Sequence, residues 1–448
     1  MVAARMTSDS ASSLDAASPW WRPRPEACLL IEGGRPLRGT YAISGAKNAV
    51  LPLMVAALLT SHLVTLHNVP ASLDVAVLSN LLQRLGAGLS WSQRSAGLSL
   101  TLCADRIHTG QVDAALVGRM RASVLLLGAL LARCGEVRLP MPGGDAIGLR
   151  GIDFHLAGLR AMGARVTLDG GTIHAVAPKG LQGAAIRLPQ PSVGATENLL
   201  LAAVLARGRT VICNAAQEPE IADLIACLTG MGAEITGAGS DELVVTGGRS
   251  LGGAVHAVMP DRIEIGTIAC AAAVTDGELL LRHARADLLG AAAPVLAAAG
   301  VLLQETEGGL LARRAPGGLV GVDLQTRPYP GFATDLQAPT MALLTTAMGA
   351  SAVTETIFEQ RFKHVDELRK MGATILVQGR TAFIRGVPQL DGARVTATDV
   401  RAAAALVLAG LAARGTTTLD GLDHLDRGYD GMAEKLVACG AGITRAAL

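Results

Sequence analysis

Four segments of the sequence carry charged side chains that the surrounding apolar pattern does not require, two of them at the start of an apolar helix, and that arrangement suits a small, highly anionic ligand. A helix N-terminus exposes unpaired N–H groups and the positive end of the helix dipole, so it accepts phosphate or carboxylate readily. The first stretch, SGAKNAVLP, has Lys47 and Asn48 entering such a helix. A lysine opposes the dipole there and needs another reason to be present. The second has Arg119 and Arg121 heading RASVLLLGALLAR. The third is PMPGGDAIGLR, with Asp145 at the tip of a glycine loop, Arg150 five residues on, and Asp153 and His155 close behind. Two glycines let backbone approach a ligand closely, and α/β proteins place chemistry on such loops. The fourth group lies in the second half. Asp261–Glu264, Thr334-Asp335, Glu359–Arg361, Asp399–Arg401 and Asp426-Arg427 bring acids and, in all but Thr334-Asp335, an arginine together. Each stretch also has a plainer reading: a lysine in a surface turn, an aspartate capping a helix, or ion pairs on the surface.

These residues need a scaffold, and the scaffold is a repeat. The phrase L-x-x-[LMAC]-G-[AV] occurs six times, with glycines at 86, 163, 232, 300, 372 and 440, at intervals of 77, 69, 68, 72 and 68. Between them lies a second phrase: an Ala/Leu helix, a break, then a short β-branched strand. The phrases predict an apolar helix, a strand, and an amphipathic helix ending at a left-handed glycine, followed by another strand. A period near 70 exceeds that of solenoids and fits a small βαβ-containing fold used several times.

Bulk properties set the limits. The 448 residues are half apolar but only 2% aromatic, with 53 glycines and a formal net charge of +1. That length predicts two domains. Near-neutral charge and few aromatics exclude nucleic acid and an anionic membrane as partners, leaving small molecules met by a local cluster. Seven scattered cysteines form no C-x-x-C pair and no zinc spacing, which points to a reducing compartment and no structural metal. The longest uncharged helical run, Ala402 to Ala413, is 12 residues, against about 20 for a membrane span. Residues 1–27, Ser/Ala-rich without a secretory pattern, read as a disordered tail, and the expected location is the cytoplasm.

Taken together, ISGAKNAVLPL, RMRAS, PGGDAIGLR-x-x-D-x-H, PSVGATEN, NAAQEPEI, PDRIEIGT, FATDLQA, TETIFEQRF, ATDVRA and HLDRGY resemble, in order, the UDP-N-acetylglucosamine 1-carboxyvinyltransferases among the enolpyruvyl transferases. The resemblance runs from about Leu29 to the C-terminus. It implies an inside-out α/β barrel of two globular domains with three repeats each, one spanning 47–259 and the other 28–46 plus 260–448. It implies transfer of enolpyruvyl from phosphoenolpyruvate to the sugar 3′-hydroxyl with loss of phosphate, through a tetrahedral intermediate and with no metal or organic cofactor. The active site would lie in the cleft between the two groups of three repeats, in a monomer or weak homo-oligomer.

The resemblance also assigns roles. Lys47, Arg121, Arg150 and Arg427 match the cations that hold phosphoenolpyruvate. Asp145 matches the general acid, usually a cysteine, and aspartate serves there provided its pKa is raised; the epoxide fosfomycin, which alkylates the cysteine, should then have little effect. Asp335 matches the acceptor of the hydroxyl proton, and Asn48 a contact to the sugar. Ser192, Val193 and Gly194 match the loop receiving the UDP phosphates. His155, Ile357 and Phe358 match nucleotide contacts, and Asp399 with Arg401 a pair near the reacting centre. Gly118, Gly151 and Gln217 depart from the usual pattern, leaving room for a paralogue with another sugar nucleotide. The sister enzyme acting on shikimate 3-phosphate would open with a Pro-Gly-Ser-Lys-type motif where this chain has SGAKN.

Overall fold

The Ala/Leu phrase folds as one helix per repeat, and most residues of these six helices are buried. They are α1 (Lys47–Ala56), α2 (Leu125–Cys134), α3 (Val193–Ala203), α4 (Arg262–Val274), α5 (Gln337–Leu344) and α6 (Val400–Ala412). In α6, VRAAAALVLAGLA, every residue from Val400 to Leu411 is buried. A helix apolar on all sides has nowhere to go but the interior. The strands instead alternate, as in Glu278–Arg282, where Leu279 and Leu281 are buried and the two end residues exposed, so each sheet covers helices with one face and meets solvent with the other. Helices inside and sheets outside follow directly.

In this computed structural model, residues 18–20, 27–94, 97–108 and 112–447 are described. Each copy runs inner helix, strand, outer helix, glycine, β-hairpin. The outer helices are Leu73–Arg84, Asp153–Ala161, Pro219–Gly230, Ala292–Ala298, His364–Lys370 and Met432–Ala438. The six phrase glycines that follow them have φ between +90° and +100°, the left-handed turn that glycine adopts without steric cost. The last copy has an extra helix, Leu422–Gly428, which carries Arg427.

Among the described residues, five of the six sheets have four strands and that of the second copy has three. In four of these four-stranded sheets three strands come from one copy, and the fourth is a parallel strand from elsewhere. Ala185–Arg187 pairs with Gly208–Cys213 of the third copy, and Ala254–Ala257, from the end of the third copy, pairs with Val64–Val69 of the first. In the second half, Leu324–Gln325 and Arg394–Thr396 pass from copy to copy in the same way. The sixth copy is completed by the chain's other end: Ala27–Glu32 forms its hairpin with Gly442–Ala447. Arg38–Ala42 then pairs in parallel with Glu278–Arg282 of the fourth copy.

The chain forms two compact units, each with its own core. The first comprises residues 18–20, Gly45–Asp145 and Arg150–Met259; the second comprises 27–44, Ala146–Leu149 and 260–447. Of the expected tail, residues 1–17 and 21–26 lie outside the described residues. Trp20 packs edge-on against Trp91, ring centroids 5.3 Å apart, and Ala27 opens the first strand. Among the described residues no helix is long and apolar enough to cross a membrane.

Candidate active site

The sequence-predicted residues fall largely at one structural position, the N-terminus of an inner helix. Lys47 and Asn48 open α1, Arg121 begins the 3₁₀ turn leading into α2, and Ser192 caps α3. Asp261 caps α4, Asp335 lies in the turn before α5, and Asp399 caps α6. Three of these ends are capped by their own side chains. Asp261 accepts from the N–H groups of Ile263 and Glu264, Asp399 from those of Arg401 and Ala402, and Ser192 from that of Ala195.

In the first unit, Lys47 is ion-paired with Asp74 at 2.8 Å, the carboxylate being almost fully buried. This partner explains how a lysine is tolerated at the positive end of α1. Around Arg121 a second group assembles. Arg121 Nη2 donates to the Gly151 carbonyl at 2.6 Å. Burial and the neighbouring Arg150 lower its pKa to about 10, so it stays charged at neutral pH. His155 is buried, and burial with Arg121 pushes it down to about 3; it is a neutral imidazole. A β-carbon on Gly194, at the start of α3, would lie 3.4 Å from the His155 ring, and one on Gly144 3.0 Å from the Arg121 side chain and 3.3 Å from Arg150. Arg121, Gly144, Arg150, His155 and Gly194 therefore share one neighbourhood. The loop approaches so closely that a β-carbon on Gly143 would sit 1.6 Å from the Gly118 carbonyl oxygen. Asp145 follows Gly144, whose φ is +117°, and is half-buried.

In the second unit the centre is Asp335. Arg361 Nη2 donates to its Oδ1 at 2.7 Å, and Arg401 donates to Oδ2 through Nε at 3.0 Å and Nη2 at 2.7 Å. Burial alone would raise this carboxyl, but Arg401 and Arg361 outweigh it and hold it well below the usual carboxylate range. The Arg401 guanidinium also lies 5.3 Å from the centre of the Tyr429 ring. Residues Ala146–Leu149 pack with this unit: Leu149 N–H donates to Glu359 Oε1 at 2.6 Å, and Gln360 N–H to the Ile147 carbonyl at 3.0 Å.

The acid–arginine spacing in the second half suggested local surface pairs, and this is corrected. Arg361 and Arg401 both reach Asp335, 26 and 66 residues away, and Asp426 pairs with Arg445. The side chains of Arg361 and Arg401 are 5% and 3% exposed, so they are not surface groups. Asp399 is likewise buried and committed to its cap. Arg427 is half-buried in the last turn of its helix. Sequence reasoning missed Asp74, an ordinary first-turn acid by its spacing, and gave Arg361 no role. Its signal was present: an arginine in TETIFEQRF that the repeat does not require.

Comparison with known proteins places this geometry. The family model for EPSP synthase (3-phosphoshikimate 1-carboxyvinyltransferase) matches residues 31–436. A UDP-N-acetylglucosamine 1-carboxyvinyltransferase of Rhodospirillum centenum is 53% identical over 424 residues, covering 93% of this chain and 98% of that one. The chain belongs to the enolpyruvyl transferase family. Within that family, the protein of the same name from Gluconobacter oxydans is 55% identical, covering 93% and 99% of the two chains. Among solved structures, the enolpyruvyl transferase NikO from Streptomyces tendae matches with a TM-score of 0.85 at 27% identity, covering 95% of this chain and 100% of that one. EPSP synthase from Acinetobacter baumannii, at 18% identity and a TM-score of 0.70 over 94% of this chain and 100% of that one, shares the fold. The enolpyruvyl transferase fold is thus the inside-out α/β arrangement that the resemblance of the motifs implies.

Proposed function

We propose that this enzyme transfers the enolpyruvyl group of phosphoenolpyruvate to the 3′-hydroxyl of UDP-N-acetylglucosamine with release of phosphate, the first committed step of peptidoglycan synthesis. The observation that carries this is the 53–55% identity, over 93% of the chain, to relatives bearing that activity in their names.

The residues support a division of labour. Lys47, Arg121, Arg150 and Arg427 supply charge for the phosphate and carboxylate of the donor, where arginine's planar fork fits both groups. Asp145 would deliver the proton to C3 as the sugar oxygen attacks C2. Asp335 would receive the hydroxyl proton. Two arginines make it a weak base, which fits late transfer: a hydroxyl becomes strongly acidic once its oxygen bonds to an electron-poor carbon. The three guanidinium N–H bonds to its two oxygens also fix the plane of the carboxylate. Asn48 would contact the sugar. Ser192, Val193 and Gly194 would receive the diphosphate at the α3 N-terminus, with His155, Ile357 and Phe358 against the nucleotide. Asp399 and Arg401 would act from behind, capping α6 and orienting Asp335. The reaction needs no metal or organic cofactor, and we assign the enzyme to the cytoplasm as a monomer or weak homo-oligomer.

Phosphate release from phosphoenolpyruvate tests this with UDP-N-acetylglucosamine or shikimate 3-phosphate as acceptor. Turnover with the first alone is expected. No turnover with it would refute the proposal.

A further inference from the structure

The carboxylate of Glu355 is 1% exposed and meets four donors within the second unit. Its Oε1 accepts from the Thr326 hydroxyl at 2.9 Å and from the N–H groups of Ile357 and Phe358 at 2.8 and 3.1 Å. Its Oε2 accepts from the Thr334 hydroxyl at 2.8 Å. The Thr334 oxygen in turn accepts from Arg361 Nη1 at 2.8 Å, and the other terminal nitrogen of Arg361 holds Asp335. One oxygen therefore fixes the turn carrying Ile357 and Phe358. The other begins a chain of donors and acceptors that ends on the Asp335 carboxylate.

The direction of that chain is set. Arg361 can only donate, so the Thr334 oxygen accepts and its proton points to Glu355. An amide at 355 would keep an acceptor for the turn but put N–H groups opposite the Thr334 hydroxyl. That hydroxyl would then face donors on both sides, with its own proton lacking a partner in a buried site.

We infer that Glu355 is a positioning residue with two outputs, aligning Asp335 through Thr334 and Arg361 and shaping the nucleotide contact through Ile357 and Phe358. This rests on the proposed roles of those residues in the enolpyruvyl transfer.

Steady-state kinetics of the full chain separates the outputs. Thr334→Val cuts only the Asp335 arm: kcat should fall about tenfold, with KM for UDP-N-acetylglucosamine within about twofold. Thr326→Val loosens only the turn: that KM should rise about fivefold, with kcat within about twofold. Glu355→Gln, whose amide oxygen still accepts from the turn, should lower kcat as Thr334→Val does, with that KM within about twofold. An active wild type with no such split between the two threonine variants, or a Glu355→Gln variant that moves neither parameter, overturns the inference. Should Glu355→Gln fail to fold, the threonine pair alone decides. A wild type inactive with UDP-N-acetylglucosamine overturns the functional proposal itself, and the inference with it.

Discussion

Asp335 is 23% exposed between two arginines that are almost wholly buried, and this imbalance governs what substitution there does. Asp335→Asn removes the charge that compensates both guanidiniums. Breaking a buried pair in this way costs about 3 kcal/mol, so the denaturation midpoint should fall together with kcat. The sign of its pH dependence follows from the lowered pKa. The stability Asp335 provides is complete above the unfolded value, about 3.9, and is lost only as pH falls toward the lower folded value. The stability lost in Asp335→Asn should therefore be constant from pH 5 to 8, which urea titrations across that range would check. Asp145 allows a chemical test. A carboxylate is a far weaker nucleophile toward an epoxide than a thiolate, so fosfomycin should leave the enzyme active over hours, whereas Asp145→Cys should show time-dependent inactivation. Persistent wild-type inactivation would contradict the assignment. Both aspartates could be picked out in the sequence, because each interrupts an apolar pattern. Their partners could not: nothing in the spacing joins Asp335 to Arg361 or Arg401, since the folding of separate helix starts onto one another is what brings them together.

The outer helices end in six glycines of nearly one conformation, but the space around them differs. A β-carbon on Gly163 would meet nothing within 4 Å, whereas on Gly300 it would lie 2.2 Å from the Gly318 carbonyl oxygen. Gly163→Ala should therefore cost only backbone strain, about 1–2 kcal/mol, and Gly300→Ala clearly more; equilibrium denaturation of the two variants gives the comparison. Equal losses would mean that strain alone decides. His364, the first residue of one outer helix, is buried, and burial lowers it to about 4, with Asp399 opposing and Arg361 adding to the effect. Its unfolded form takes up a proton near pH 6.5 while the folded form resists, so its contribution to stability is lost as pH falls from about 6.5 toward 4, at up to about 1.4 kcal/mol per pH unit. Replacing it with Asn should flatten the pH dependence of the urea midpoint across that window. The glycine phrase made these helices and their ends readable from sequence. The linking strands were not readable: Leu324–Gln325 is two residues long and Arg394–Thr396 three, too short for any alternation to register.

At the scale of the molecule, two cores divide the chain unequally along the sequence. The repeat count and the resemblance anticipated six copies and the enolpyruvyl transferase fold, because helix, strand and glycine signals recur locally. The pairing of Ala27–Glu32 with Gly442–Ala447 has no local signal, being a contact between strands some 400 residues apart. It has a consequence for the order of events during synthesis. The first unit is continuous from Gly45 to Met259 except for Ala146–Leu149, which packs with the second, so this whole stretch is available once residue 259 has emerged from the ribosome. The second unit begins first, yet its opening strand must wait, edges unsatisfied, for residues 416–419 and 442–447 to be translated. The nascent chain should thus hold a folded middle while its N-terminal strand is still without its partner. Proteolysis of chains stalled near residue 320 should leave a protected fragment covering about 45–259, and only chains that include residues 442–447 should protect residues 27–32.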